Sequence, residues 1–193
     1  MPEGIPPHTY VCAFCGDKVA STQGYTGYYF GNQKSYLWGT IHICPGCTEP
    51  TYFTVDHTDQ FPAPPYGSSV RHVDKEIDAL YQESRNAFSV NAYTASAMAS
   101  RKILMNVAVH LGAPKNQPFT AYVDYLEANH YVPPGAKTWV DAIRKKGNDA
   151  THEIPATTKE DARELIDFVE MLLKLVFEFP ARAGSAKGKS TTP

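Results

Sequence analysis

This chain has no excess of either charge sign, no long apolar run, no glycine-rich phosphate loop and no internal repeat. Its 18 basic residues stand against 20 acidic ones, a net charge of −2, so the chain as a whole is not steered toward nucleic acid or an anionic membrane. No stretch approaches the ~18 consecutive apolar residues of a membrane span. Asp167, Glu170 and Lys174 interrupt even the most apolar segment. The opening Met-Pro-Glu-Gly-Ile-Pro-Pro lacks the basic region and apolar core of a signal peptide, so a cytoplasmic protein with no membrane partner is expected. With 42% hydrophobic and 20% charged residues, the composition suits a soluble globular protein rather than a disordered one.

Cysteine is scarce but concentrated. All four cysteines fall in two Cys-x-x-Cys pairs, Cys12/Cys15 and Cys44/Cys47. Without an export signal, this pattern reads as metal binding rather than disulfide bonding. Gly16 after the first pair and Gly46 within the second let the backbone turn tightly, so two thiolates from each pair can converge on one ion. Four thiolates suit a tetrahedral, structural Zn²⁺ held by Cys12, Cys15, Cys44 and Cys47; iron could use the same ligands. With all four positions filled by protein, no site stays open for catalysis.

The two pairs are 28 residues apart, which calls for an extended hairpin between them. Residues 24–30, 35–43 and 51–55 are rich in aromatic and β-branched side chains and predict short strands, with turns at Gly31-Asn32 and Pro45-Gly46. Such a small ribbon needs apolar filling, so its tyrosines and Trp38 are expected in the core. His42, between Ile41 and Ile43, reads as a strand residue. Residues 1–60 carry two basic side chains against five acidic ones, the wrong balance for phosphate binding. A protein partner at the ribbon is the alternative.

Proline and glycine cluster over residues 59–72 and mark a linker. The apolar period then becomes helical. Helices are expected from Val73 to Phe88, Tyr93 to Leu111 (with Ala95, Met98, Ile103 and Val107 inward), Thr120 to His130, and Trp139 to Glu153. A last helix is expected to begin at a Thr157/Glu160 capping box and stop at Pro180, followed by a disordered tail over 181–193. The expected fold is therefore α+β, mainly α: a zinc ribbon over 1–58, a linker over 59–72 and an antiparallel helical bundle over 73–180.

On the fourth helix, Trp139, Val140, Ile143, Gly147 and Ala150 fall on one face. Arg144, Asn148 and His152 step by four along the other. Arg144 and His152 would stand about 12 Å apart along the axis, so joint action on one phosphate needs a bend at Gly147 or a second subunit. Capping or bridging of neighbouring helices is the other role for Asn148 and His152. Arg144-Lys145-Lys146 and the mid-helix Arg101 are candidates for nucleic-acid contact, with a structural role for Arg101 as the alternative.

Tyr81-Gln-Glu-Ser-Arg-Asn-Ala-Phe88, Arg101-Lys-Ile-Leu104 and Gly147-Asn-Asp-Ala-Thr-His-Glu153 resemble the bacterial domain-of-unknown-function family 4145 over roughly residues 73–180. That family looks distantly related to HEPN domains, helical bundles that often act as metal-independent ribonucleases in defence systems. The resemblance implies an HEPN-like bundle, a homodimer through the helical domain, and association with RNA or another nucleic acid in bacterial or phage conflict. Its sharpest form is RNA cleavage, with His152 moving a proton, Arg144 stabilising phosphate charge and Asn148 between them. A non-catalytic protein-binding adaptor with a structural zinc is the alternative.

Overall fold

The computed structural model describes residues 1–132, Trp139, Ala142 and 157–187. It divides into two compact units, Met1–Pro65 and Tyr66–Pro193. The chain is α+β: an antiparallel sheet first, then helices.

The first unit is a five-stranded meander in the order β1-β2-β3-β4-β5, with β1 at Glu3–Val11, β2 at Lys18–Gly31, β3 at Lys34–Ile43, β4 at Pro50–Thr54 and β5 at Gln60–Phe61. The strands anticipated from aromatic and β-branched runs are present. β1 is an addition, and it includes Pro6 and Pro7. As an edge strand paired only with β2, β1 tolerates missing N–H donors, and its register shifts between Gly4 and His8, around the two prolines. β5 lies within the stretch read as linker. The β2–β3 turn is the two-residue Asn32-Gln33, both at positive φ (48° and 60°), as a right-twisted hairpin favours.

The core of this unit is small. Tyr10, Cys12, Cys44 and Phe53 form its buried cluster. The expectation that the ribbon aromatics fill a core holds for Tyr10 and Phe53 and is corrected for the rest: Tyr25, Tyr28, Tyr29, Phe30, Tyr36 and Trp38 are all exposed.

The second unit carries α1 (Lys75–Ser89), α2 (Tyr93–His110), α3 (Phe119–Ala128), α4 (Lys159–Leu173), a π-helical turn over Lys174–Glu178 and α5 (Phe179–Lys187). Ile77, Tyr81, Ile103, Leu104, Val107, Val123, Leu126 and most of the apolar face of α4 form one continuous core. Trp139 packs edge-on against Phe168, with centroids 4.9 Å apart and planes at 89°. α2 buries Ile103 and Val107 as expected, but its first turns face differently. Ser96, Ala97 and Ser100 are buried, whereas Ala95 and Met98 are exposed. The cause is a buried hydroxyl seam: Ser84 of α1 lies 2.8 Å from the Ser100 hydroxyl and donates to the Ser96 carbonyl at 3.0 Å. Small side chains let the two backbones approach, and mutual hydrogen bonding removes the penalty of burying them.

α4 begins one residue later than its sequence suggests. Thr157 N–H donates to Thr94, leaving Thr158 as the cap, with a reciprocal box to Asp161. Nor does Pro180 end the helix. The π turn before it changes the i→i−4 ladder just where proline lacks an N–H, and the chain continues helically to Lys187. The 181–193 segment read as a tail is therefore helical over its first seven residues.

Residues 66–71, also read as linker, lie along the helices of this unit. Arg85 donates from Nε to the Tyr66 carbonyl at 2.7 Å and from Nη2 to the Gly67 carbonyl at 2.8 Å. The Glu170 carboxylate accepts the Ser68 N–H at 2.7 Å, and Glu178 accepts the Arg71 N–H at 3.1 Å. A side chain at Gly67 would meet Glu170 Oε2 at 2.6 Å, and its φ of +76° favours glycine independently.

Candidate metal centre and aromatic arm

Each Cys-x-x-Cys pair sits in the connection of a β-hairpin, and the two connections are hydrogen-bonded alike. Cys12 N–H donates to Asp17 and Gly16 N–H to Cys12; Cys44 N–H donates to Glu49 and Thr48 N–H to Cys44, all at 2.9–3.0 Å. The left-handed residue follows the second cysteine in both cases: Gly16 at φ +76° and Thr48 at φ +66°. Pro45 and Gly46 lie in the turn as expected, but the left-handed position falls to Thr48 rather than Gly46. The Gly46 N–H lies against the Cys44 sulfur.

The four sulfurs converge. Cys12 Sγ lies 3.6 Å from Cys47 Sγ, Cys15 Sγ lies 3.8 Å from Cys44 Sγ, and all four lie within 4.8 Å of one another. A tetrahedron of sulfurs with metal–sulfur bonds of about 2.3 Å has an edge of about 3.8 Å. The spacing is that of a metal-thiolate cage and is far too long for a disulfide. Electrostatics point the same way. Burial opposes ionisation of Cys44, but the Cys47 and Gly46 amides outweigh it and bring the thiol down to about 7. At Cys15 the Asp17 amide favours ionisation, yet burial and the neighbouring sulfurs push the thiol up to about 12. Four thiolates this close repel one another unless a cation sits among them. The donor set fits a metal ion and leaves no protein-free coordination position.

The second feature of this unit is an arm. β4 pairs with β3 only as far as Gly39, and β1 pairs with β2 only as far as Gly24. Beyond those points β2 and β3 continue as a two-stranded ribbon to the Asn32-Gln33 turn. Gly27 pairs with Gly39 and Tyr28 with Leu37, so Trp38 is the extra residue of a bulge. Tyr29 stacks on Tyr36 (5.1 Å, 18°) and meets Trp38 edge-on (6.1 Å, 89°). The cluster continues into the sheet. Tyr25, Ile41, Tyr52 and Phe61 pair successively across four strands and therefore share one face. Tyr52 occupies the space over Gly39, where a Cβ would meet its ring at 2.6 Å. Trp38 is 63% exposed and Phe30 84% exposed. Residues 24–41 contain a single charge, Lys34.

One signal in the sequence could have identified this arm. Tyr28-Tyr29-Phe30 are consecutive, and successive strand residues point to opposite faces. Three aromatics in a row cannot all enter one core.

Of the other residues singled out from sequence, Arg101 lies on α2 with its guanidinium 4.6 Å from the Phe119 ring centroid, where burial lowers its pKa. His42 lies on β3, buried, as a strand residue. Arg144, Lys145, Lys146, Asn148 and His152 lie outside the described residues.

A β unit built around four converging thiolates, followed by a separate helical unit, is the class of protein these features define. Residues 82–190 match the family described as a domain of unknown function, DUF4145, and the chain belongs to that family. No curated protein and no solved structure matches it. Among the described residues, no helix is long and apolar enough to cross a membrane.

Proposed function

We propose that this protein is a non-enzymatic adaptor in which a zinc-locked β unit presents an aromatic arm to a partner protein. The observation that carries this reading is the arm: Tyr29, Tyr36 and Trp38 clustered and exposed in a stretch, residues 24–41, whose only charge is Lys34. Tyrosine and tryptophan dominate the energetics of protein interfaces, and a large exposed apolar patch marks an interaction site. Zinc is the metal that best suits the role, because four thiolates close its coordination sphere and its chemistry here is structural.

Exposed aromatics also stack on unpaired bases, but such surfaces pair them with cationic grooves. The two basic and five acidic residues of positions 1–60 offer none. The RNA-directed reading depends on Arg144, Asn148 and His152, outside the described residues, and draws no support from the ribbon's charge.

The test is co-purification of the full chain with its partner, compared with Trp38→Ala and a Tyr29→Ala/Tyr36→Ala double variant. The adaptor reading expects the partner to be lost in both variants while zinc content and melting temperature hold. It is overturned if both variants keep the partner. It is also overturned if the wild-type chain cleaves RNA without added metal and His152→Ala abolishes that cleavage.

A further inference from the structure

Three histidines from three parts of the β unit meet on the sheet face opposite the exposed aromatics. His8 comes from β1, His42 from β3 and His57 from the turn between β4 and β5. Their ring centroids lie 4.4 Å apart for His8–His57, 5.2 Å for His8–His42 and 6.0 Å for His42–His57. Phe53 forms the common wall, 4.4 Å from His8 and 5.4 Å from His42.

The unusual member is His42. It is 1% exposed, and neither Nδ1 nor Nε2 has a hydrogen-bond partner. The Ser21 backbone lies near the ring, yet neither nitrogen is hydrogen-bonded to it. Leaving both nitrogens of a buried imidazole unmatched costs of the order of a hydrogen bond each. Packing alone does not explain a histidine here, where a phenylalanine would fill the space without that cost. The same layer holds another unmatched polar atom, the Tyr10 hydroxyl, with its ring centroid 6.2 Å from His42. A buried imidazole facing two others is the donor set of a borderline transition metal, for which neutral imidazole nitrogen is the commonest ligand.

We propose that His8, His42 and His57 form a second divalent transition-metal site, separate from the four-cysteine centre and of zinc type. Three protein ligands would leave a fourth position for water or an incoming donor, unlike the closed thiolate cage. Among the described residues, only the four cysteines have ligand atoms that all lie within 4.8 Å of one another, so closing the histidine site requires a ring to turn. His57 is the ring free to do so, since it sits exposed on a turn.

The experiment is zinc stoichiometry on the full, untagged chain after dialysis against excess zinc. The wild-type chain should hold two equivalents, whereas His57→Ala and His8→Ala should each hold one. His57 is exposed and His8 half-buried, so both variants should fold, as near-UV circular dichroism would check. Cobalt added to chain already carrying one zinc equivalent should give visible ligand-field bands without thiolate charge transfer, and those bands should vanish in His57→Ala. A wild-type chain saturating at one equivalent overturns the site. So do variants that retain two, or cobalt bands of thiolate origin.

Discussion

Removing the metal should unfold the first unit and spare the second. The buried cluster of the β unit is Tyr10, Cys12, Cys44 and Phe53, so half of it is cysteine from the candidate metal centre. Most of its large aromatics are exposed and contribute little burial. The helical unit instead buries a continuous apolar core that includes Tyr81, Ile103, Leu126, Phe168 and Leu172. Structural zinc in small domains contributes about 10–16 kcal/mol at neutral pH, whereas whole domains are stable by about 5–15 kcal/mol. Stripping the ion therefore removes at least as much as an ordinary domain has in reserve. It also leaves buried sulfurs that must take up protons or repel one another.

The assay is hydrogen exchange on the full chain with and without a strong zinc chelator, under reducing conditions. Amides of β1 to β4 should lose protection, while those of α1, α2 and α4 retain it. Four thiols should become reactive in step with that loss. The reasoning is refuted if all four thiols react and the strands stay protected, because the sheet would then hold without its ion. Cys12→Ser should reproduce the chelated pattern without chelator.

Other expectations are more local. Trp38→Ala should change stability by no more than about 0.5 kcal/mol in chemical denaturation, since the side chain is largely in water. Arg85→Lys should cost the helical unit about 1.5–3 kcal/mol, because lysine cannot reproduce the fork onto the Tyr66 and Gly67 carbonyls. Ser100→Leu should destabilise by about 1–3 kcal/mol by forcing apart the close approach of α1 and α2, and calorimetry would measure it. Burial opposes the Glu170 carboxylate, but Lys174 and the Ser68 amide together hold its pKa below the ordinary value. Its contribution is therefore complete above the unfolded carboxylate pKa of about 4.3 and is lost as pH falls through the lower folded value. Across that acid window the melting temperature should fall more steeply in the wild type than in Glu170→Gln.

What could be read from the sequence followed strict local rules. Two Cys-x-x-Cys pairs specify convergent thiolates whatever surrounds them, and the period of α4 survives because nearly every inward position is a large aliphatic or aromatic residue. Where tertiary context outweighed local preference, the reading slipped. Pro6 and Pro7 were compatible with a strand because β1 is an edge, which is a property of the sheet rather than of residues 3–11. The first turns of α2 depart from the expected phase because Ser96 and Ser100 are buried there. Serine counts as polar until a partner such as Ser84, on another helix, satisfies it. Residues 66–71 read as linker because their stabilising contacts come from side chains far along the chain, among them Glu170 and Glu178.

The aromatic arm and the histidine cluster are the two faces of one sheet, and together they invert the usual assignment of residue types. Face alternation along β3 sends His42 inward and Ile41 outward. A stability-driven sheet would do the opposite, burying the isoleucine and solvating the imidazole. Neighbouring strands follow the same pattern: Tyr25, Tyr52 and Phe61 line up with Ile41 on the outer face, while Thr51 pairs with His42 on the inner. A one-residue slip of register would exchange the two sets. The turn chemistry and the cysteine hydrogen bonds hold the register that buries His42 and Thr51 beside Phe53 and exposes Tyr25 and Ile41. On the reading proposed above, such a sheet would draw its stability from an ion held by the four cysteines and offer its outer face to a partner.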